Sequence, residues 1–263
     1  MRHMPRSRKV DKIIIGNWKM NPQTRKEAEK LFSGVVKSLS RIKKTKVVVC
    51  PPFLYVEKLK SLGARSGKVA LGAQDAFWSD VGPFTGEISP DMLYDLGVRY
   101  VILGHSERRA LGETNDNVNK KLKAALSAGL TPVVCVGENV REEDHGYFNL
   151  VKTQIEACLE GIKKNFISKI IIAYEPIWAI SSTVNRKDAT PSDSREMAVF
   201  IRKIISDKFG PEAIETRIIY GGSANEKDAE DFLRNGGIDG LLPGRASLDP
   251  EKFTAMVNIA ENL

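Results

Sequence analysis

Three side chains in this sequence are of the types needed for proton transfer on an anionic substrate, and each follows a short apolar run. Glu175 stands between Ile170-Ile171-Ile172-Ala173-Tyr174 and the apolar Pro176-Ile177-Trp178. A carboxylate partly shielded from water in such a place is expected to suit the work of a general base. The same residue could instead be half of a buried ion pair with a lysine or arginine. His105 follows the run Tyr100–Gly104 and precedes Ser106-Glu107-Arg108-Arg109; it is either structural or a site histidine. Lys19 lies in Gly16-Asn17-Trp18-Lys19-Met20-Asn21. Asn17 and Lys19 share strand parity, so both side chains are expected to point into one mouth. That lysine is either plain surface or a fixed cation for an anionic substrate. Tyr220-Gly221-Gly222-Ser223 and Leu242-Pro243-Gly244-Arg245-Ala246-Ser247 add glycine-bearing turns whose backbone N–H groups suit a phosphate, although either turn alone is a weak signal.

The elements that must position these groups are legible as alternation. Strands are expected at Lys12–Asn17, Lys46–Cys50, Val69–Gln74, Tyr100–Gly104, Thr131–Gly137, Lys169–Tyr174, Arg217–Tyr220 and Gly240–Pro243. Continuous runs such as Val47-Val48-Val49 suit strands buried on both faces of a parallel sheet. Helix starts are signalled by Asn21-Pro22, Ser89-Pro90, Thr190-Pro191 and Asp249-Pro250, a capping residue before a proline. Stops are signalled by Gly97, Gly129 and Gly236. Val118, Leu122, Ala125 and Leu126 have the spacing of a helix laid on a sheet. Eight strand-then-helix units are the requirement of an α/β closed (β/α)8 barrel. An open doubly wound sheet is disfavoured, since no G-x-G-x-x-G follows the first strand. No linker or composition shift divides the chain, so residues 12–263 read as one barrel domain. In such a barrel chemistry sits where strands end, which is where the residues above fall.

Composition narrows the function classes. With 42% apolar and 28% charged residues among 263, the chain has globular proportions, not those of a disordered or coiled-coil protein. No apolar run approaches the roughly 18–20 residues of a membrane span, and no signal-peptide core follows the N-terminus; a cytoplasmic location is expected. Three cysteines without C-x-x-C spacing and three scattered histidines indicate neither a disulfide framework nor a metal site. Of the net charge of +7, a basic tail over residues 1–11 together with Lys12 supplies +4. That tail is either an appended segment or a disordered arm. The remaining body mixes both signs, which argues against nucleic acid and leaves anionic small substrates favoured.

Together the five strand-end segments closely resemble the triosephosphate isomerase family: Gly16–Asn21, Gly104–Arg109, Ala173–Ile180, Tyr220–Ser223 and Gly244–Leu248 occur in the family's order. The resemblance implies a cofactor-free, metal-free interconversion of dihydroxyacetone phosphate and glyceraldehyde 3-phosphate, in glycolysis and gluconeogenesis. It implies Glu175 as the proton shuttle and His105 as a neutral electrophile, which is the family's known pattern. Lys19 and Asn17 would contact substrate, and backbone N–H groups of Ser181, Ser223, Gly244 and Arg245 would grip its phosphate. Glu107 is similar to the family's buried acid, in a structural or a catalytic role. The segment after Glu175 resembles the family's closing lid. Two departures touch phosphate binding: residues 181–190 are longer than the usual lid and lack its glycines, and Arg245 replaces a glycine. Arginine tolerates a positive φ poorly. The loop Asp75 to Glu87 carries Phe77, Trp78, Val81, Pro83 and Phe84, too apolar for water. By resemblance it inserts into a second subunit of a homodimer, with Thr85 reaching the neighbour's lysine and histidine. The rival readings are a barrel isomerase for another sugar phosphate and an inactive barrel with a binding role.

Overall fold

Eight parallel strands form where the apolar runs predict them, and each pairs with its neighbours in chain order. The computed structural model describes residues 11–39, 41–63, 67–141, 145–180 and 187–263. Most of the basic tail, Ser181 and the remainder of 182–186 therefore lie outside the described residues. The strands are β1 (Ile13–Asn17), β2 (Lys46–Cys50), β3 (Val69–Ala73), β4 (Tyr100–Leu103), β5 (Thr131–Val136), β6 (Ile171–Tyr174), β7 (Arg217–Tyr220) and β8 (Gly240–Leu241). β1 pairs with both β2 and β8, so the sheet closes into a barrel. The start of β6 is later than expected because Lys164–Lys169 form a 3-10 turn. β8 is shorter than expected because Pro243 has no N–H to continue a ladder. Ring closure nonetheless extends past it, with the Asn17 N–H donating to the Pro243 carbonyl at 2.9 Å.

Alternation of side chains along each strand creates two cores. Ile13, Ile15, Val48, Ile102, Val133 and Ile219 fill the barrel. Ile14, Val47, Val49, Val134, Ile172 and Ile218 face outward against the helices. These are α1 (Arg25–Ser38), α2 (Phe53–Gly63), α3 (Pro90–Asp95), α4 (Ser106–Ala110), α5 (Asn115–Ser127), α6 (Gly146–Cys158), α7 (Pro191–Phe209), α8 (Ala229–Asn235) and α9 (Pro250–Glu261). Val118, Leu122, Ala125 and Leu126 all lie buried on α5. Each fully buried aliphatic side chain contributes about 1.5–3 kcal/mol relative to exposure.

Three of the four proline-marked starts are real: Ser89, Thr190 and Asp249 cap α3, α7 and α9 with the proline next. The fourth is corrected. α1 begins after Thr24, whose side chain and Glu27 form a reciprocal capping box, and the Asn21–Pro22 peptide is cis. Two orphan donors satisfied at once outcompete a lone asparagine. Gly97 and Gly129 take the left-handed conformation after α3 and α5. After α8 that conformation falls on Gly237 (φ +66) instead of Gly236 (φ −77). Among the described residues no helix is long and apolar enough to cross a membrane.

Candidate active site

Because all strands run one way, their C-terminal ends share one rim. Lys19 reaches that rim, but not by strand parity. β1 ends at Asn17, and Lys19 turns the chain with φ +54. A non-glycine residue adopts that conformation at a cost of roughly 1–2 kcal/mol, and two side chains hold it. Asn17 Oδ1 accepts the Lys19 N–H at 3.0 Å, and Gln74 Nε2 donates to the Lys19 carbonyl at 2.8 Å and to that of Cys50 at 2.9 Å. The ammonium lies 2.7 Å from Glu107 Oε1. Glu107 is beside the lysine as expected, but it is not buried. Its side chain is 48% exposed, because α4 is a short surface helix.

Gly104, with φ +71, turns the chain out of β4, and His105 becomes the cap of α4. Its Nδ1 accepts the backbone N–H of Glu107 at 3.2 Å. Nε2 lies 3.2 Å from Glu175 Oε1. The distance suits a hydrogen bond but the alignment does not, and Oε1 is a buried oxygen without an aligned donor. Glu175 Oε2 accepts the Ser106 N–H at 2.9 Å. Glu175 is buried to 2% exposure, and among the described residues no lysine or arginine pairs with it. The parity of Ile171 and Ala173 carries Glu175 to the barrel side, over Cys135. Burial pushes the Cys135 thiol well up, and the Glu175 carboxylate beside it adds to the effect. Cys135 therefore stays a neutral thiol under the carboxylate.

Asn17, Lys19 and His105 share a cavity of about 440 Å³ with Ile180, Gly222, Ser223, Gly244 and Arg245. Glu175 is set just behind this wall. A Cβ on Gly221 would come 2.8 Å from Glu175 Cγ, so only glycine allows the carboxylate its place. The triosephosphate isomerase family model matches residues 12–260. The chain belongs to the triosephosphate isomerase family. It is 44% identical to the triosephosphate isomerase of Moorella thermoacetica over 94% of this chain and 97% of that one. It is 45% identical to that of Dehalococcoides mccartyi over 93% and 94%. A crystal structure of triosephosphate isomerase from Bartonella henselae superposes with a TM-score of 0.81 at 31% identity, over 95% of this chain and 99% of that one.

Of the positions expected to take a phosphate, Ser223, Gly244 and Arg245 lie among the described residues and line the cavity. The Ser223 N–H donates to the Ala179 carbonyl at 3.2 Å, so it is engaged within the protein. Arg245 opens a 3-10 turn, Arg245–Leu248, and its exposed side chain lines the cavity. Among the described non-glycine residues only Lys19 and His145 have positive φ, so Arg245 replaces a glycine without backbone strain. Thr85 is exposed on the projecting loop and does not line the cavity of its own chain. Gln74, Cys135 and the Ser106 amide went unnoticed in the sequence. Gln74 is the last residue of an expected strand, and that position is the signal that could have found it. Among the described residues no group of three or more His, Cys, Asp or Glu side chains could hold a metal ion.

Proposed function

We propose that this chain interconverts dihydroxyacetone phosphate and glyceraldehyde 3-phosphate without a cofactor. The observation that supports the reading is convergence: Lys19 and His105, from the ends of two different strands, line one cavity whose far wall is built from the turns after β7 and β8, and Glu175, from a third, lies behind that wall 3.2 Å from His105 Nε2. In this reading Glu175 takes a proton from one substrate carbon and returns it to the next. The His105 Nε2–H bonds the carbonyl oxygen and then the enediolate oxygens. The Lys19 ammonium offsets the growing negative charge, Asn17 fixes the Lys19 backbone and contacts substrate, and Glu107 holds the ammonium in place. Amides of Ser181, Ser223, Gly244 and Arg245 take the phosphate. Two groups must then move, Glu175 off the Ser106 amide and Ala179 off the Ser223 amide.

The working unit in this reading is a homodimer of single-domain barrels spanning residues 12–263, located in the cytoplasm and serving glycolysis and gluconeogenesis. Trp78, Val81 and Phe84 are exposed on the loop 75–87, and a second subunit would cover them and bring Thr85 towards the neighbouring Lys19 and His105. No membrane or nucleic acid takes part. A coupled assay following dihydroxyacetone phosphate formation tests the reading. Turnover supports it, and a pure, folded protein without turnover overturns it in favour of another sugar phosphate or a binding role.

A further inference from the structure

The segment that follows Glu175 is gripped from the loop after β5. Glu138 is fully buried there, and its Oε1 accepts the Tyr174 hydroxyl and the Trp178 indole N–H, each at 2.8 Å. The Ile177 N–H donates to the Glu138 carbonyl at 2.9 Å. Burial pushes the Glu138 carboxyl up, while the two donors and the Arg141 charge pull it back.

Arg141 extends this grip to the other end of the stretch 179–190. Its Nη1 lies 2.9 Å from Asp193 Oδ1, and its Nη2 pairs with Glu196. Both acids are on the first turns of α7, where the other oxygen of Asp193 accepts the N–H and hydroxyl of the capping Thr190. The same guanidinium lies over the Tyr147 ring, 4.8 Å from its centroid, and 5.9 Å from that of Trp178. One planar cation thus touches residue 178 on one side of the stretch and residue 193 on the other.

We propose that Arg141 is a positioning residue for the isomerisation, fixing Trp178 against the start of α7 so that residues 175–180 move between defined places. The proposal rests on the proposed function, because it concerns delivery of Glu175 and release of the Ser223 amide. Arg141 touches no part of the substrate cavity, so its effect should fall on binding more than on chemistry. A lysine keeps the charge but neither the fork nor the flat face.

The test compares the parent with Arg141→Met, Arg141→Lys and Glu196→Gln in steady-state kinetics, and by 19F NMR of 5-fluorotryptophan protein with the Trp178 signal assigned through Trp178→Phe. The expected result for Arg141→Met is a KM raised about 5–10-fold with kcat within about 3-fold, and a shifted or broadened Trp178 resonance in the free protein. Arg141→Lys should recover part of both changes, and Glu196→Gln should show a smaller change of the same sign. An unchanged Trp178 resonance in folded Arg141→Met overturns the brace, as does a fall in melting temperature with KM untouched. If Arg141→Met does not fold, Glu196→Gln carries the test, and unchanged KM and resonance there overturn the proposal. The resonance needs no turnover, so an inactive parent would count against the proposed function and leave the brace to be judged by NMR.

Discussion

His105 Nδ1 faces the backbone N–H of Glu107 at 3.2 Å, which makes this ring nitrogen an acceptor. In the neutral ring the proton then sits on Nε2, the nitrogen turned towards Glu175. The Glu107 carboxylate is also near Nδ1, but at 3.7 Å it is outside hydrogen-bond range. The tautomer is thus set by main chain, not by a side chain. 15N NMR of histidine-labelled protein should show an unprotonated Nδ1 and a protonated Nε2 for the neutral form of His105, and Glu107→Gln should leave that pattern in place. A reversed tautomer would remove His105 as a donor to substrate oxygen.

Replacing Glu175 by glutamine keeps the shape and the acceptor for the Ser106 amide but removes the base. Loss of a positioned general base costs about 10²–10⁴-fold, so kcat should fall at least about 10³-fold while binding of a substrate analogue persists. His105→Gln should show a smaller but still large loss. Activity of Glu175→Gln within about tenfold of the parent would assign the proton transfer elsewhere.

Gly221 supplies a subtler probe. A methyl group there would stand 2.8 Å from Glu175 Cγ and 3.3 Å from the Tyr174 carbonyl. The side chain can yield and the main chain cannot, so Gly221→Ala should displace the carboxylate and leave the barrel standing. We expect kcat reduced about 10–100-fold with a melting temperature within a few degrees of the parent. Unaltered kcat would mean that the carboxylate's resting place does not govern its delivery.

The barrel was legible because buried parallel strands are continuous apolar runs, and Val47-Val48-Val49 or Ile170-Ile171-Ile172 cannot be mistaken for surface. The positions of Asn17, His105 and Glu175 at one rim were legible because the strands are parallel and each of these residues stands where an apolar run ends. Lys19 was found for a partly mistaken reason. Parity assumes that the strand continues, whereas a left-handed residue held by Asn17 and Gln74 makes the turn. Glu107 was expected to be buried, but one chain leaves it about half exposed. Gln74 and Cys135 escaped notice because they act through contacts distant in sequence, on the Lys19 carbonyl and beneath Glu175. The engagement of Ser223 by Ala179 is equally invisible in sequence, since it joins two backbone atoms.

The loop 75–87 predicts an assembly. Phe77 is buried and stacks on Trp78 at 4.1 Å between centroids, with Phe84 at 4.6 Å, while Val81 is 86% exposed at the tip. Asp75 at the root of the loop is tied to Arg108 at 2.8 Å and Lys121 at 2.7 Å, so the loop has a braced base under an apolar tip. Sedimentation at micromolar concentration should give a dimer, and Phe84→Asp should shift it to monomer with activity lowered at least about tenfold. A parent protein sedimenting as a fully active monomer would contradict the homodimer.

The last expectation concerns acid stability and involves no site residue. Glu261, at the end of α9, receives three consecutive amides that precede β2: Lys43 and Thr45 at 2.8 Å and Lys44 at 3.1 Å. Burial pushes its carboxyl up, but the amides of Thr45, Lys43 and Lys44 outweigh that and hold it at about 2. The folded pKa is below that of the unfolded chain, so this stabilisation is complete above the unfolded value near 4.5 and is lost as pH falls towards 2. The carboxylate is partly exposed and screened, which limits its contribution at neutral pH to about 1 kcal/mol. Urea unfolding of Glu261→Gln should therefore show a deficit of about that size at pH 7 and pH 5. The deficit should shrink at pH 4 and again at pH 3, because the protonated glutamate comes to resemble glutamine. A deficit that grows on acidification, or none at pH 7, would show that the three amides do not favour the charged form.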